Sequence, residues 1–97
     1  MIEVTTVKVN GKACLGLKVD LPESPPLLLM VAEKGFVMCG FLNIDAAEKL
    51  GVSAALVSGV KSFEDVLNGE VKAATTKAKN LGVEARIKGS EALKHMY

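Results

Sequence analysis

Apolar and polar residues alternate along the first part of the chain in the way that is typical of β-strands. Apolar side chains recur over residues 2–9, and strict alternation over residues 14–21 predicts a second strand with one buried face. The dipeptide Asn10-Gly11 between the two segments favours a tight β-hairpin turn. We therefore expect two antiparallel strands. The apolar phase changes between Val4 and Val7, and a β-bulge or a twist of the strand near Thr5 and Thr6 would explain this change.

Two apolar runs follow a segment that contains three prolines in five residues. Prolines from Pro22 to Pro26 end the second strand, because they lack an N–H donor and fix φ. Residues 27–33 and 36–41 do not alternate, so we expect two strands that are covered on both faces. In a chain this short, the helices can cover one face of a sheet. We therefore expect another copy of the chain to cover the second face. The sequence therefore predicts self-association through the hairpin that begins at Leu27 and ends at Phe41.

From Asn43 onwards the apolar spacing changes from two residues to about 3.6. This spacing predicts helices over residues 43–50, 62–67, 71–81 and 90–96, and strand-like runs over 52–60 and 83–87. The predicted order is ββββαβααβα. We expect an α+β or α/β two-layer sandwich within a single domain of residues 1–97, with a mixed β-sheet of about six strands and helices mainly on one face.

Composition excludes several classes of partner. The chain has 97 residues, a formal net charge of +1 and four aromatic residues, which supply neither a basic stripe nor a stacking platform for nucleic acid. The longest apolar run, residues 27–32, is far shorter than the roughly 20 residues of a membrane span. No secretory signal is visible at the N-terminus. We expect a cytoplasmic protein without nucleic-acid or membrane partners.

The two cysteines and the single histidine do not form a metal motif. Cys14 and Cys39 are too few for a disulfide framework and lie outside any CxxC motif or Cys/His cluster, so we expect no metal and no cofactor. Either thiol can serve as a small buried apolar group. His95 near the end of the last predicted helix is interpreted as a cation at a helix terminus.

One edge of the predicted sheet is a candidate site. If the strands ending at Phe41 and Val60 are parallel neighbours joined by a helix, their carboxyl ends share the edge where ligands bind in open sheets. Cys39 is the candidate nucleophile there. The candidate ligand-binding residues, suited to a small anion, are Gly40, Asn43, Ser58, Gly59, Lys61 and Ser62. In the alternative interpretation the glycines relieve crowding, Ser62 only caps a helix and Lys61 is solvated.

Two functional hypotheses follow from these patterns. The first is an oligomeric structural or interaction module, which the non-alternating strands favour. The alternative is a small-molecule binder or a thiol-dependent enzyme that uses the edge near Cys39 and Lys61.

Four segments carry a resemblance to a known family: residues 35–43 (GFVMCGFLN), 59–67 (GVKSFEDVL), 81–83 (LGV) and 89–93 (GSEAL). Together they resemble the YunC-like family of small bacterial and archaeal domains of unknown function. The resemblance extends from about Leu27 to the end of the chain, and the N-terminal hairpin matches in outline. It implies a compact two-layer α/β domain and brings no activity, cofactor or catalytic residue. In the family a glycine often stands where this chain has Arg86.

Overall fold

The fold consists of one six-stranded sheet and four helices, in a computed structural model that describes residues 2–97. The strands are β1 (Ile2–Val9), β2 (Lys12–Val19), β3 (Leu27–Val31), β4 (Phe36–Met38), β5 (Ala54–Leu56) and β6 (Ala73–Ala74). The helices are α1 (Ile44–Leu50), α2 (Phe63–Asn68), α3 (Thr76–Asn80) and α4 (Gly89–Lys94). The expected fold class, a mixed sheet of about six strands with helices mainly on one face, is confirmed.

The first two strands pair along their whole length, and the expected bulge is absent. Residues of β1 and β2 oppose each other one to one from the Ile2–Val19 pair to the Val9–Lys12 pair. The apolar phase changes because Val7 and Val9 point to one face of the sheet, whereas Ile2 and Val4 point to the other. The change of apolar phase in β1 therefore reflects a regular strand with apolar side chains on both faces, and not a bulge.

Strands β4 and β5 are parallel neighbours, as the sequence predicts. Their register pairs Phe36 with Ala54 and Met38 with Leu56, and α1 connects them. All other pairs of neighbouring strands in the sheet are antiparallel. The two strands are shorter than expected, but their carboxyl ends share one edge.

The first two helices begin and end where the sequence predicts. Asn43 Oδ1 accepts hydrogen bonds from the N–H groups of Asp45 and Ala46, and Gly51 ends α1 with a φ of 71°. Ser62 Oγ accepts one from the Asp65 N–H at the start of α2. These side chains satisfy N–H groups that have no partner within a helix.

The sixth strand and the third helix differ from the sequence expectation. The expected helix over residues 71–81 is replaced by β6, which pairs with β5, and by the short helix α3. Thr75 separates them, because its Oγ1 accepts a hydrogen bond from the Ala78 N–H and so starts the helix late. The expected strand over residues 83–87 is instead a turn, in which Arg86 has a φ of 74°. An extended strand cannot contain a residue in that left-handed conformation.

The two faces of the sheet are covered to different extents. The closed face, defined by Cys14, Leu28, Met30, Val37 and Ala55, packs against residues of α2, α3 and α4 and is buried. The open face, defined by Ile2, Val4, Leu15, Leu17 and Leu29, is covered by α1 only over β4 and β5. No helix within residues 2–97 is long and apolar enough to cross a membrane.

Candidate functional site

A cavity of about 270 Å³ lies at the carboxyl ends of β4 and β5. Gly40 and Gly59 both line this cavity, and the sequence predicts that they meet at this edge. The two strands reach this edge together because they are parallel and in register. Its lining residues are Pro25, Pro26, Cys39, Gly40, Phe41, Gly59 and Val60. The lining is mainly apolar, and this favours a small or partly apolar ligand.

The Cys39 thiol is held inside this edge by the backbone of β3. Its Sγ accepts a hydrogen bond from the Leu28 N–H at 3.3 Å, and its own N–H donates to the Leu28 carbonyl at 3.1 Å. Only 2% of Cys39 is exposed. The thiol therefore has a hydrogen-bond partner within the fold. A reagent in the cavity can reach it only if the neighbouring residues move.

Gly40 and Gly59 line the cavity, and Ser58 lies beside Gly40 without being part of the lining. A Cβ added to Gly40 would lie 3.8 Å from the Ser58 Cβ, which is ordinary contact. Gly59 has a φ of 71°, a conformation that favours glycine because it has no Cβ. Glycine is therefore favoured at position 59 by its backbone conformation, whereas at position 40 there is room for a Cβ.

Asn43, Lys61 and Ser62 are not part of the cavity lining. The side chains of Asn43 and Ser62 accept hydrogen bonds from their own helices, and for Ser62 this is the capping role that the alternative interpretation anticipates. The Lys61 N–H donates to Asp65 Oδ2 at 3.0 Å, and the residue is exposed. The structure therefore brings together Cys39, Gly40, Ser58 and Gly59 and leaves the other three candidates around α1 and α2.

Sequence reasoning missed the proline segment as part of the site. Pro25 and Pro26 line the cavity because β3, which begins at Leu27, runs antiparallel to β4 and starts beside its end. That pairing was itself predictable. Cys39 pairs with Leu28 in this hairpin, so the prolines that precede Leu28 must lie at the same edge of the sheet.

The four-stranded antiparallel part, the single parallel pair and the helices on both faces define a small α+β domain. The family model described as a domain of unknown function, DUF1805, matches residues 38–96. The chain belongs to this family.

Two relatives extend the similarity over nearly the whole chain. The chain is 25% identical to the uncharacterized protein YunC of Bacillus subtilis (strain 168), over 99% of this chain and 98% of that protein. It is also similar to the crystal structure of TA1206, a protein of unknown function from Thermoplasma acidophilum, with a TM-score of 0.93 and 30% identity. That alignment covers 100% of this chain and 94% of the other. The expected YunC-like family is confirmed.

Proposed function

We propose that the protein is a homo-oligomeric structural or interaction module whose subunits associate through the open face of the sheet. The observation that carries the proposal is the exposure of apolar side chains on β1 and β2. Ile2 is 67% exposed, Val4 61% and Leu15 48%. Apolar side chains that lie together on one exposed surface are typical of an interaction site.

The charge distribution supports this assignment. Successive residues of a strand point to opposite faces. The pairing register of the strands therefore identifies which residues lie on the open face. Over β1, β2 and β3 this face presents apolar residues together with Thr6, and Lys8 at one end is its charged residue. The cores of protein interfaces are depleted of charged side chains in the same way.

A second copy is the occupant that fits this surface. Next to the exposed strands, α1 and the sheet enclose an apolar groove of about 500 Å³, whose lining includes Leu29, Phe36, Met38 and Leu50. In a twofold dimer, the exposed strands of each copy can enter the groove of the other, so both surfaces are buried at once. The strands β3 and β4 of the expected self-association hairpin contribute one wall of this groove.

The mass in solution tests the proposal. Size-exclusion chromatography with light scattering at micromolar concentration is expected to give a multiple of the 10.2 kDa chain. Val4→Lys should give a monomer, because it places a charge on the open face. Asn80→Lys is the matched control, since it adds the same charge to an exposed position on α3. A monomeric unaltered protein would exclude the proposal, and so would two variants that behave alike.

A second candidate function rests on the cavity beside Cys39. Its volume of about 270 Å³ and its position at the ends of parallel strands support a binding site for a small molecule, and the alternative hypothesis adds a thiol-dependent reaction. Iodoacetamide labelling followed by peptide mass spectrometry tests the thiol, because it resolves Cys39 from Cys14. Labelling of Cys39 no faster than in the unfolded chain would exclude its use as a nucleophile.

A further inference from the structure

We infer that a second, separate pocket binds a small oxyanion, a phosphate or a carboxylate group, at the opposite end of the parallel strands. This pocket has a volume of about 310 Å³ and lies where β4 and β5 begin. Ser53, Lys34 and Lys77 border it. The inference goes beyond the proposed self-association and does not depend on it.

The first observation is a buried hydroxyl without a partner. Ser53 is 3% exposed, and its Oγ makes no hydrogen bond within the described residues. A buried polar atom without a partner is unfavourable, and native structures contain few of them. Ser53 also borders the pocket, so a rotation of its side chain towards the pocket would let this O–H group donate to a bound oxyanion.

The second observation is the pair of lysines that come to the same pocket from different elements. Lys34 lies in the turn between β3 and β4, and Lys77 lies on α3. Among residues 2–97 neither ammonium group is within salt-bridge distance of a carboxylate. Glu33 is the acidic residue at the pocket, so its three charged side chains have a formal sum of +1. The charge favours an anion.

The turn that carries Lys34 is fixed in place before any ligand arrives. The Lys34 N–H donates to the Met96 carbonyl at 2.6 Å, and the Ala32 N–H donates to the Gly35 carbonyl at 2.8 Å. A Cβ on Gly35 would lie 2.7 Å from both the carbonyl oxygen and the Oγ of Ser53. Only glycine therefore lets the turn approach Ser53 this closely, and the approach brings Lys34 and the hydroxyl to one pocket.

The size of the pocket limits the ligand. A volume of about 310 Å³ is at the lower end of the range for small-molecule sites, which is about 300 to 1,000 Å³. The pocket thus accommodates an oxyanion group with a short organic substituent. The ammonium groups can only donate hydrogen bonds and the hydroxyl has one O–H to donate, and these donors match the acceptor oxygens of phosphate and carboxylate.

The test is an NMR titration of the ¹⁵N-labelled protein with sodium phosphate, sodium acetate and sodium chloride at equal ionic strength. We expect saturable shifts of the Gly35, Ser53 and Lys77 amide signals with phosphate or acetate and none with chloride. The phosphate and acetate titrations also distinguish the two kinds of oxyanion. Absence of saturation with both salts would overturn the inference.

Three variants make the result specific to the pocket. Ser53→Ala and Lys77→Gln should each weaken the affinity about tenfold, the loss of roughly one charge-assisted hydrogen bond. Lys79→Gln is the matched control, because it removes the same charge from the same helix at a residue outside the pocket. Equal weakening in Lys77→Gln and Lys79→Gln would indicate screening by bulk charge and overturn the inference, as would unchanged affinity in Ser53→Ala.

A thermal melt provides a second measurement. The anion that saturates the shifts should raise the Tm of the unaltered protein and of Lys79→Gln, because a ligand that binds only the folded state stabilises it. The rise should be clearly smaller in Ser53→Ala and Lys77→Gln, because their affinity for the anion is about tenfold lower. An equal rise in all four proteins would contradict a site at Ser53 and Lys77.

Discussion

The closed and open faces are formed by the same strands and differ in what covers them. Cys14 and Leu15 are adjacent in β2, yet Cys14 is fully buried against the helices, whereas Leu15 is 48% exposed. Alternation along a strand places neighbours on opposite faces, so one strand takes part in both surfaces. The comparison shows that apolar content alone does not define the core. The position of three short helices decides which face of the sheet is buried.

The largest expected effect comes from the same substitution on the two faces. Leu28→Ala, on the closed face, should lower the free energy of unfolding by about 3 kcal/mol, because it leaves a cavity among buried side chains. Leu15→Ala, on the open face, should cost less than about 1 kcal/mol, since Leu15 is already half exposed. Urea denaturation measures both.

Repeating the urea denaturation at several protein concentrations distinguishes the two faces further. If subunits associate through the open face, the cost of Leu15→Ala should increase with protein concentration, and the cost of Leu28→Ala should not. Equal losses in the two variants at the lowest concentration would mean that the faces are not different in the isolated subunit.

An intermediate effect is expected where the closed face leaves no room. Gly16 in β2 faces the ring of Phe63, and an added Cβ would lie 2.8 Å from the ring Cε1. Gly16→Ala should therefore destabilise the fold by about 1 kcal/mol, because the ring must move. Adding Phe63→Leu should cost less in this background than in the unaltered protein, and a double-mutant cycle in urea measures the coupling. Additive costs would show that Gly16 and Phe63 do not contact.

The smallest expected effect depends on pH. Burial raises the pKa of the Cys14 thiol, although its hydrogen bond with Tyr97 opposes the shift, and burial together with Cys14 raises the pKa of Tyr97 to about 12. Both groups are neutral when folded and ionise more readily when unfolded. The stability that they contribute is present at pH 8, below their unfolded pKa values of about 8.5 and about 10, and is lost as the pH rises towards 12.

The urea midpoint at pH 8 and at pH 11 measures this loss. The decrease between the two values should be smaller in Cys14→Ala and in Tyr97→Phe than in the unaltered protein. Lys94→Gln is the control, because Lys94 lies on α4 with its side chain exposed. A decrease that is the same in all four proteins would contradict the burial of Cys14 on the closed face.

The parts of the fold that local chemistry determines could be predicted from the sequence. Asn10 and Gly11 both have positive φ in the hairpin turn, and Asn43 and Gly51 bound α1. Each of these features depends on residues within a few positions of one another. The parallel pair was predictable for a similar reason, because a helix of this length between two strands returns the chain in the same direction.

The remaining errors came from contacts between distant residues. Thr75 Oγ1 donates to the Val52 carbonyl at 2.7 Å and accepts from the Ala54 N–H at 3.1 Å, 23 and 21 positions away. These bonds hold Ala73 and Ala74 beside β5, although two alanines are good helix formers. Likewise, the Arg86 N–H donates to the Val71 carbonyl at 2.8 Å, and this distant contact lies in a turn where Arg86 has a left-handed φ of 74°.

The candidate site shows the same division between local and distant contacts. Its edge and its two glycines were predictable from the predicted strand order, and the capping role of Ser62 was anticipated as the alternative. The hydrogen bond from Leu28 to Cys39 and the pocket at Ser53 were not predicted. Both depend on where a backbone segment stops, and hydrophobic patterns locate strand ends only to within a few residues.

The order of the strands in the sheet is the same as their order along the chain. During folding, each new strand can therefore join the outer edge of a sheet that already exists, and no strand has to enter between two others. From β1 to β4 this growth requires only the closure of short loops, whose entropy cost is small, whereas β5 and β6 each follow a longer connection that contains a helix. The first four strands can thus form by stepwise addition from the first hairpin, and β5 and β6 then extend the sheet at its outer edge.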